Sequence, residues 1–251
     1  VVPVLSLEGL LVTPPRFPVH YVPRPYQAQL HKMWKTKRIG VAVLPRQSGK
    51  DVAISMEMVE SRLRTPKTTG VYISLNNPMI RDILWQKTYN DPETGQYIQM
   101  LQDNVPSGFC DWKNTVMEGH FTNKSRMKLQ GYFQSGQDSN GVGTAFQDYA
   151  FTELALFGRE DPLPRLMPII MGEHESKRLM VASTPRGRRQ NPLWQLMESY
   201  GHRADFGKVV WTIDDLNAMM RAEGLGPVVT EATLESQREA YLKRFGNDRM
   251  F

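Results

Sequence analysis

Eight residues, Leu44-Pro45-Arg46-Gln47-Ser48-Gly49-Lys50-Asp51, constrain this chain more than any others. An apolar run from Ile39 to Leu44 precedes the turn, and a helix-like segment from Val52 to Leu63 follows it. A buried strand, a tight turn closing on Gly-Lys and then a helix form the local arrangement that cradles nucleotide phosphates. Backbone N–H groups of the turn point inward, the helix N-terminus adds the positive end of its dipole, and the lysine ammonium reaches the outer phosphates. Two positions depart from the G-x-x-x-x-G-K-[ST] pattern. Leu44 stands where the first glycine belongs, and Asp51 stands where a hydroxyl would hold Mg²⁺.

The rest of the chain supplies strands and helices in alternation. Pro3, Pro14, Pro15, Pro18, Pro23 and Pro25 make the first 25 residues an extended arm. Pro25 opens a helix that runs through Tyr26 to Trp34. Further strands are expected at Gly70–Leu75, His120–Thr122, Arg126–Tyr132, Ala145–Thr152, Lys177–Ala182 and Lys208–Ile213. A helix is expected over Met79–Tyr89 and a closing amphipathic one over Glu231–Arg244. Asp91 to Gly108 is turn-rich and undecided, and Gly136 to Gly143 is a glycine-rich loop. This alternation implies a mostly parallel sheet covered on both faces.

A phosphate cradle calls for an acidic site on a neighbouring strand. The run from Ala145 to Glu153 is strand-like, and Glu153 falls where the strand leaves the sheet, the edge at which open α/β sheets bind ligands. There Glu153 could orient and deprotonate an attacking water, with Asp148 as the alternative base. Thr152 occupies the position of a second acid, so a carboxylate has in effect moved from the strand to Asp51 in the turn. Mg²⁺ takes oxygen ligands; Asp51 therefore either assumes part of the metal-binding role, with Thr152 contributing through water, or caps the following helix. Leu179 to Ala182 forms an apolar strand ending in Ser183-Thr184-Pro185, and Tyr26-Gln27 lies upstream at the interval of an adenine clamp.

Taken in chain order, Gln27, the Arg-Gln-Ser-Gly-Lys turn, Glu153 and Ser183-Thr184 closely resemble the ATPase domain of the large terminase subunit of tailed bacteriophages. The resemblance spans Tyr26 to Phe251, including Tyr241-Leu242-Lys243-Arg244-Phe245, which is similar to the segment leading to that family's nuclease domain. It implies a P-loop NTPase of the RecA/helicase-like kind with a small C-terminal lid: an arm over 1–25, an ATPase core over 26–205, and a lid over 206–251 leading to a nuclease domain. It implies Mg²⁺-dependent ATP hydrolysis coupled to translocation of double-stranded DNA into a prohead, by a homo-oligomeric ring docked on the portal protein and working with the small terminase subunit in the host cytoplasm. The nucleotide would lie against Tyr26, Gln27, Pro45, Arg46, Gln47, Ser48, Gly49, Lys50, Asp51, Ser183 and Thr184. Lys50 would grip phosphates, Arg46 stabilise developing charge, Glu153 position the water, and Ser183 and Thr184 sense the γ-phosphate. Arg159, Arg165, Arg186 and Arg188 are candidates for an arginine donated to a neighbouring subunit. Asp51 and Thr152 depart from the family pattern, which leaves metal coordination open.

Other chemistries find little support. The five histidines lack ligand spacing, and Cys110 alone can build neither a zinc site nor an intrachain disulfide. No apolar run approaches the length of a membrane span, and no secretory signal is visible, so a soluble intracellular protein is expected. The net charge of +5 permits a polyanion partner, with Arg186-Gly187-Arg188-Arg189 as one basic cluster. A helicase-like DNA-remodelling ATPase and a non-catalytic nucleotide- or DNA-docking module are the alternative readings.

Overall fold

The computed structural model describes residues 4–5, 11–12, 19–90, 95–132, 146–157, 161–172, 177–185, 191–230 and 233. Strands β1 (Val4–Leu5) and β2 (Leu11–Val12) pair antiparallel within the stretch expected to be an extended arm. Helix α1 (Pro25–Thr36) follows, then β3 (Ile39–Val43), α2 (Lys50–Arg64) and β4 (Thr69–Ser74). Helix α3 (Asn77–Ile80) runs into a π-helical turn at Arg81–Trp85 and then β5 (Thr88–Asn90), β6 (Tyr97–Gln99), β7 (Cys110–Lys113), β8 (Glu118–Phe121) and β9 (Arg126–Gly131). The second half contains β10 (Asp148–Thr152), a 3₁₀ turn at Leu154–Leu156, α4 (Leu163–Met171), β11 (Arg178–Ser183), α5 (Pro192–Tyr200), β12 (Phe206–Val210) and α6 (Ile213–Ala222).

Eight of these strands form one sheet in the order β12-β3-β11-β10-β4-β9-β8-β7. The six strands from β12 to β9 are mutually parallel, and β8 and β7 extend the sheet antiparallel. The four inner parallel strands β3, β11, β10 and β4 are almost wholly buried and alternate between two cores. Ala42, Tyr72, Ala150, Met180 and Ala182 face α1, α2 and α6, whereas Val41, Val71, Ile73, Phe151 and Val181 face α4 and α5. The small residues on the first face let helices approach closely. A Cβ added to Gly40 would meet Trp34 Cδ1 at 2.5 Å, and the same glycine carbonyl accepts the Trp34 indole N–H at 3.1 Å.

Three expectations change. The helix expected over Met79–Tyr89 starts earlier and stops sooner: the Asn76 side chain caps its start by accepting from the Met79 N–H at 2.9 Å, its turns widen to π from Arg81 to Trp85, and Thr88–Asn90 leaves as a strand paired with β6. The strand expected over Lys208–Ile213 ends at Val210, because Thr212 and Asp215 cap each other and start α6 at Ile213. Within the stretch assigned to the lid, β12 hydrogen-bonds into the main sheet beside β3. The helix expected over Glu231–Arg244, the Gly136–Gly143 loop, and Arg159, Arg186, Arg188 and Arg189 lie outside the described residues, Thr233 apart.

Candidate nucleotide site

The turn after β3 is built from its backbone and held from below. Gln47 at φ 63° and Gly49 at φ 70° both take left-handed conformations, which curl successive N–H groups toward a common side. Gly49 is the N-cap of α2, and a Cβ there would also meet Gln27 Nε2 at 2.9 Å. The left-handed φ is what calls for glycine here, and a Cβ would in addition push the end of the Gln27 amide aside. The Tyr26 hydroxyl donates to the Ser48 carbonyl at 2.7 Å, and Gln27 Nε2 donates to the Gly49 carbonyl at 3.1 Å. The other end of the Gln27 amide accepts the Arg24 N–H at 2.9 Å. Tyr26 and Gln27 thus lie directly under the turn, and both ends of the Gln27 amide expected to read adenine are engaged by backbone. Pro45 is partly exposed, and Arg46 and Gln47 are exposed on the rim. Ser48 is fully buried, and its Oγ has no hydrogen-bond partner among the described residues. A buried hydroxyl without a partner inside a nest of N–H groups suits an anion.

Facing the turn, Glu153 leaves β10 at φ 53° as the chain enters the 3₁₀ turn. Its backbone N–H still pairs across the sheet with the Ala182 carbonyl at 3.0 Å, so the side chain is re-aimed without detaching the strand. Glu153 Oε1 lies 2.9 Å from Lys50 Nζ and accepts the Thr184 hydroxyl at 2.8 Å. Glu153 Oε2 accepts the Thr184 N–H at 3.2 Å. Burial acts to raise the carboxyl's pKa, but the Lys50 charge and the hydrogen bonds from Lys50 and Thr184 outweigh it and hold Glu153 below its ordinary value. The Ser183 hydroxyl lies behind this group, accepting from the Ala155 N–H at 3.3 Å. Lys50, Glu153, Ser183 and Thr184 therefore meet in one place. Asp148 does not: it begins β10, at the opposite end of the strand from Glu153, where Arg62 and Arg178 bind it.

A third group joins the two residues that departed from the usual pattern. Asp51 lies inside the first turn of α2, whose N-cap is Gly49, so the carboxylate does not occupy the capping position. Its Oδ1 lies 3.3 Å from the Tyr72 hydroxyl, and that hydroxyl lies 3.1 Å from Thr152 Oγ1. Burial pushes the Asp51 carboxyl up, with the Lys50 charge acting to lower it and the Glu153 charge to raise it. The sequence reading missed Tyr72. Its one signal was a lone phenol between Val71 and Ile73 in the buried strand Gly70–Leu75, where a buried hydroxyl must find partners. Carboxylate and hydroxyl oxygens at Asp51 and Thr152, beside the phosphate turn, are the hard donor set that Mg²⁺ prefers.

Elsewhere, Arg165 is exposed on α4. His31, Glu57 and Glu60 cluster between α1 and α2, an arrangement their sequence spacing did not reveal. That cluster is neutralised internally: His31 Nδ1 lies 2.8 Å from Glu57 and its Nε2 3.0 Å from the Tyr21 hydroxyl, while Lys35 reaches Glu60 at 2.9 Å. No described helix is long and apolar enough to cross a membrane.

No family model and no curated protein matches the chain. Solved structures do. The ATPase domain of the Thermus phage P74-26 large terminase superposes with a TM-score of 0.58 at 15% identity, over 92% of this chain and 90% of that one. The HK97 bacteriophage large terminase gives 0.64 at 13% identity, over 88% of this chain and 48% of its own. A large terminase from a thermophilic bacteriophage, in complex with ATP-γ-S, gives 0.54 at 13% identity over 87% of this chain and 48% of its own. The chain spans about half the length of these last two proteins, and what it shares with all three is the fold of a phage large-terminase ATPase domain.

Proposed function

We propose that this chain is the ATPase domain of a viral DNA-packaging motor, hydrolysing ATP to drive double-stranded DNA into a prohead. The observation that carries the hydrolytic reading is the 2.9 Å pairing of Lys50 with Glu153 beside a turn with two left-handed residues and a buried Ser48 hydroxyl without a hydrogen-bond partner. The likeness to terminase folds, one of them with ATP-γ-S bound, adds the motor context.

On this reading the turn's N–H groups, Ser48 and Lys50 hold the phosphates. Lys50 then serves two anions. When it turns toward phosphate oxygens, Glu153 loses the positive charge that holds its carboxyl down, and burial makes it a stronger base at the moment a water must be deprotonated. Thr184, which donates twice to Glu153, keeps the carboxylate aimed and passes its displacement to β11. Arg46, on the turn's rim, stabilises charge developing on the transferred phosphoryl group. Asp51 and Thr152 would hold Mg²⁺, which when bound neutralises phosphate charge. The partners on this reading are DNA, the portal protein, the small terminase subunit and further copies of this chain in a ring, acting in the host cytoplasm.

The test is ATP turnover by the purified chain and by Lys50→Ala, with and without portal protein and DNA. Abolished turnover and weakened ATP binding in Lys50→Ala are expected, together with stimulation of the wild type by portal and DNA. Turnover equal to wild type in Lys50→Ala would sink the phosphate-turn reading. Stimulation by DNA alone, with no response to portal, would favour a DNA-remodelling ATPase.

A further inference from the structure

We propose that Tyr72 is the positioning residue for the metal-holding edge of this site, an inference that rests on the nucleotide reading above. β4 and β10 are parallel neighbours, and their register sets Tyr72 beside Ala150, with Thr152 two residues further along the same face. The small side chain of Ala150 leaves the phenol ring room on that face, and its hydroxyl ends 3.1 Å from Thr152 Oγ1. The same hydroxyl is 3.3 Å from Asp51 Oδ1 in the first turn of α2. A phenol has one hydrogen. Donated to the carboxylate, it leaves the phenol oxygen to accept from the threonine.

The consequence is that the two exchanged positions form one unit. In an ordinary P-loop the turn offers a short hydroxyl and the strand a carboxylate; here the longer side chain is on the turn and the shorter on the strand. An aspartate on a helix has free χ angles and can point along the helix or into solvent, and Asp51 is partly exposed. Tyr72, itself 1% exposed and fixed in the core, anchors one carboxylate oxygen against the strand and leaves the other to face a cation. Groups that orient ligating carboxylates in this way are worth about 10–100-fold in metal affinity.

The experiment titrates Mg²⁺ against binding of ATP-γ-S to wild type and Tyr72→Phe, with direct Mn²⁺ binding followed by electron paramagnetic resonance. Tyr72→Phe should raise the Mg²⁺ concentration for half-maximal effect by about tenfold or more, weaken Mn²⁺ binding in parallel, and leave nucleotide affinity in EDTA unchanged. Asp51→Ser, whose side chain is too short to reach the phenol, should be insensitive to the added Tyr72→Phe change. A lowered melting temperature with superimposable Mg²⁺ titrations would show a merely structural hydroxyl and overturn the proposal, as would full sensitivity in the Asp51→Ser background. Should Tyr72→Phe not fold, 4-fluorophenylalanine incorporated at position 72, which fills the place of the hydroxyl without a donor and touches neither metal-holding residue, carries the same expectation and the same refutation. Wild-type protein that binds no ATP-γ-S at all would instead bring down the nucleotide reading, and this inference with it.

Discussion

Glu153 is held at once by a cation and by two donors of Thr184, and each contact predicts a different behaviour of its variants. Glu153→Gln keeps the shape but, with one acceptor oxygen where the carboxylate has two, only one of the two Thr184 donations, and it cannot accept a proton, so ATP binding should persist while hydrolysis falls about 10²–10⁴-fold. With Asp148 at the far end of β10, a loss under tenfold would direct attention to Asp51 as the base. Since the Glu153 carboxyl is held below its ordinary value, the acid limb of the wild-type kcat/KM profile, which reports the free enzyme, should fall below about pH 4.3, the value for an unperturbed glutamate. Asp51 makes a separate prediction. Asp51→Ala should raise the Mg²⁺ requirement for turnover, and Asp51→Ser should largely restore it, at a stability change of only about 0.3–1 kcal/mol from the lost helix-dipole interaction. A thermal melt beside a Mg²⁺ titration separates the two effects, and an unchanged Mg²⁺ requirement in Asp51→Ala would remove Asp51 from metal binding. Lys50, Glu153, Ser183 and Thr184 were legible in the sequence because each lies at or just beyond the C-terminal end of a strongly apolar strand, so position along the chain fixes position in space. Tyr72 was not, because its role depends on the register of β4 against β10, which no local pattern encodes.

At the scale of elements, β10 is a strand with chemistry at both ends. Its C-terminal end delivers Glu153; its N-terminal end carries Asp148, fully buried and bound by Arg62 from α2, by Arg178 of β11 at 2.8 Å, and by the Ser61 hydroxyl at 2.6 Å. These contacts tie α2, β10 and β11 together at the edge opposite the phosphate turn. Burial acts to raise the Asp148 carboxyl, but the hydrogen bond and charge of Arg178, with Arg62 and Ser61, hold it below the usual carboxylate range. The sign follows from that depression: the stabilisation is fully present above the unfolded value of about 3.9 and is lost as pH falls through the lower folded value. Asp148→Asn leaves Arg62 without its buried counter-charge, while Arg178 keeps Glu57 at 3.7 Å, and should cost about 3–5 kcal/mol, measured by urea unfolding at neutral pH, with a flatter acid limb than wild type. A cost under about 1 kcal/mol would mean that the arginines find other partners or water in the variant. The same scale explains which elements escaped the sequence. The long parallel strands stand out as apolar runs, whereas α4 is disguised by Pro164 and Pro168, α5 and α6 depend on the caps at Asn191 and Thr212, and β5 to β7 are three or four residues long.

For the whole molecule, the sheet order places β3, β11 and β10 side by side near the middle, so the turn, Thr184 and Glu153 converge over the C-terminal edges of adjacent strands rather than at the margin of the fold. Rigid neighbours on both sides hold their geometry, and the rim of the turn remains open. Arg46 stands exposed on that rim, close in sequence to the lysine it would assist. In a ring of subunits an arginine so placed could serve its own site or the next one, and the location on the phosphate turn itself favours its own. Arg46→Ala should then cut turnover steeply, since an arginine on the transferred phosphoryl group contributes about 10³–10⁵-fold. Arg46→Lys should rescue it only in part, because an ammonium cannot reproduce the planar fork of donors. Mixing decides whose site is served. If Arg46 acts within its own subunit, assemblies mixed from Arg46→Ala and Glu153→Gln chains on portal and DNA should be as inactive as either alone, for every active site then lacks one of the two groups. Turnover recovered in the mixture would mean that the arginine is lent across the interface by the chain whose own base is disabled.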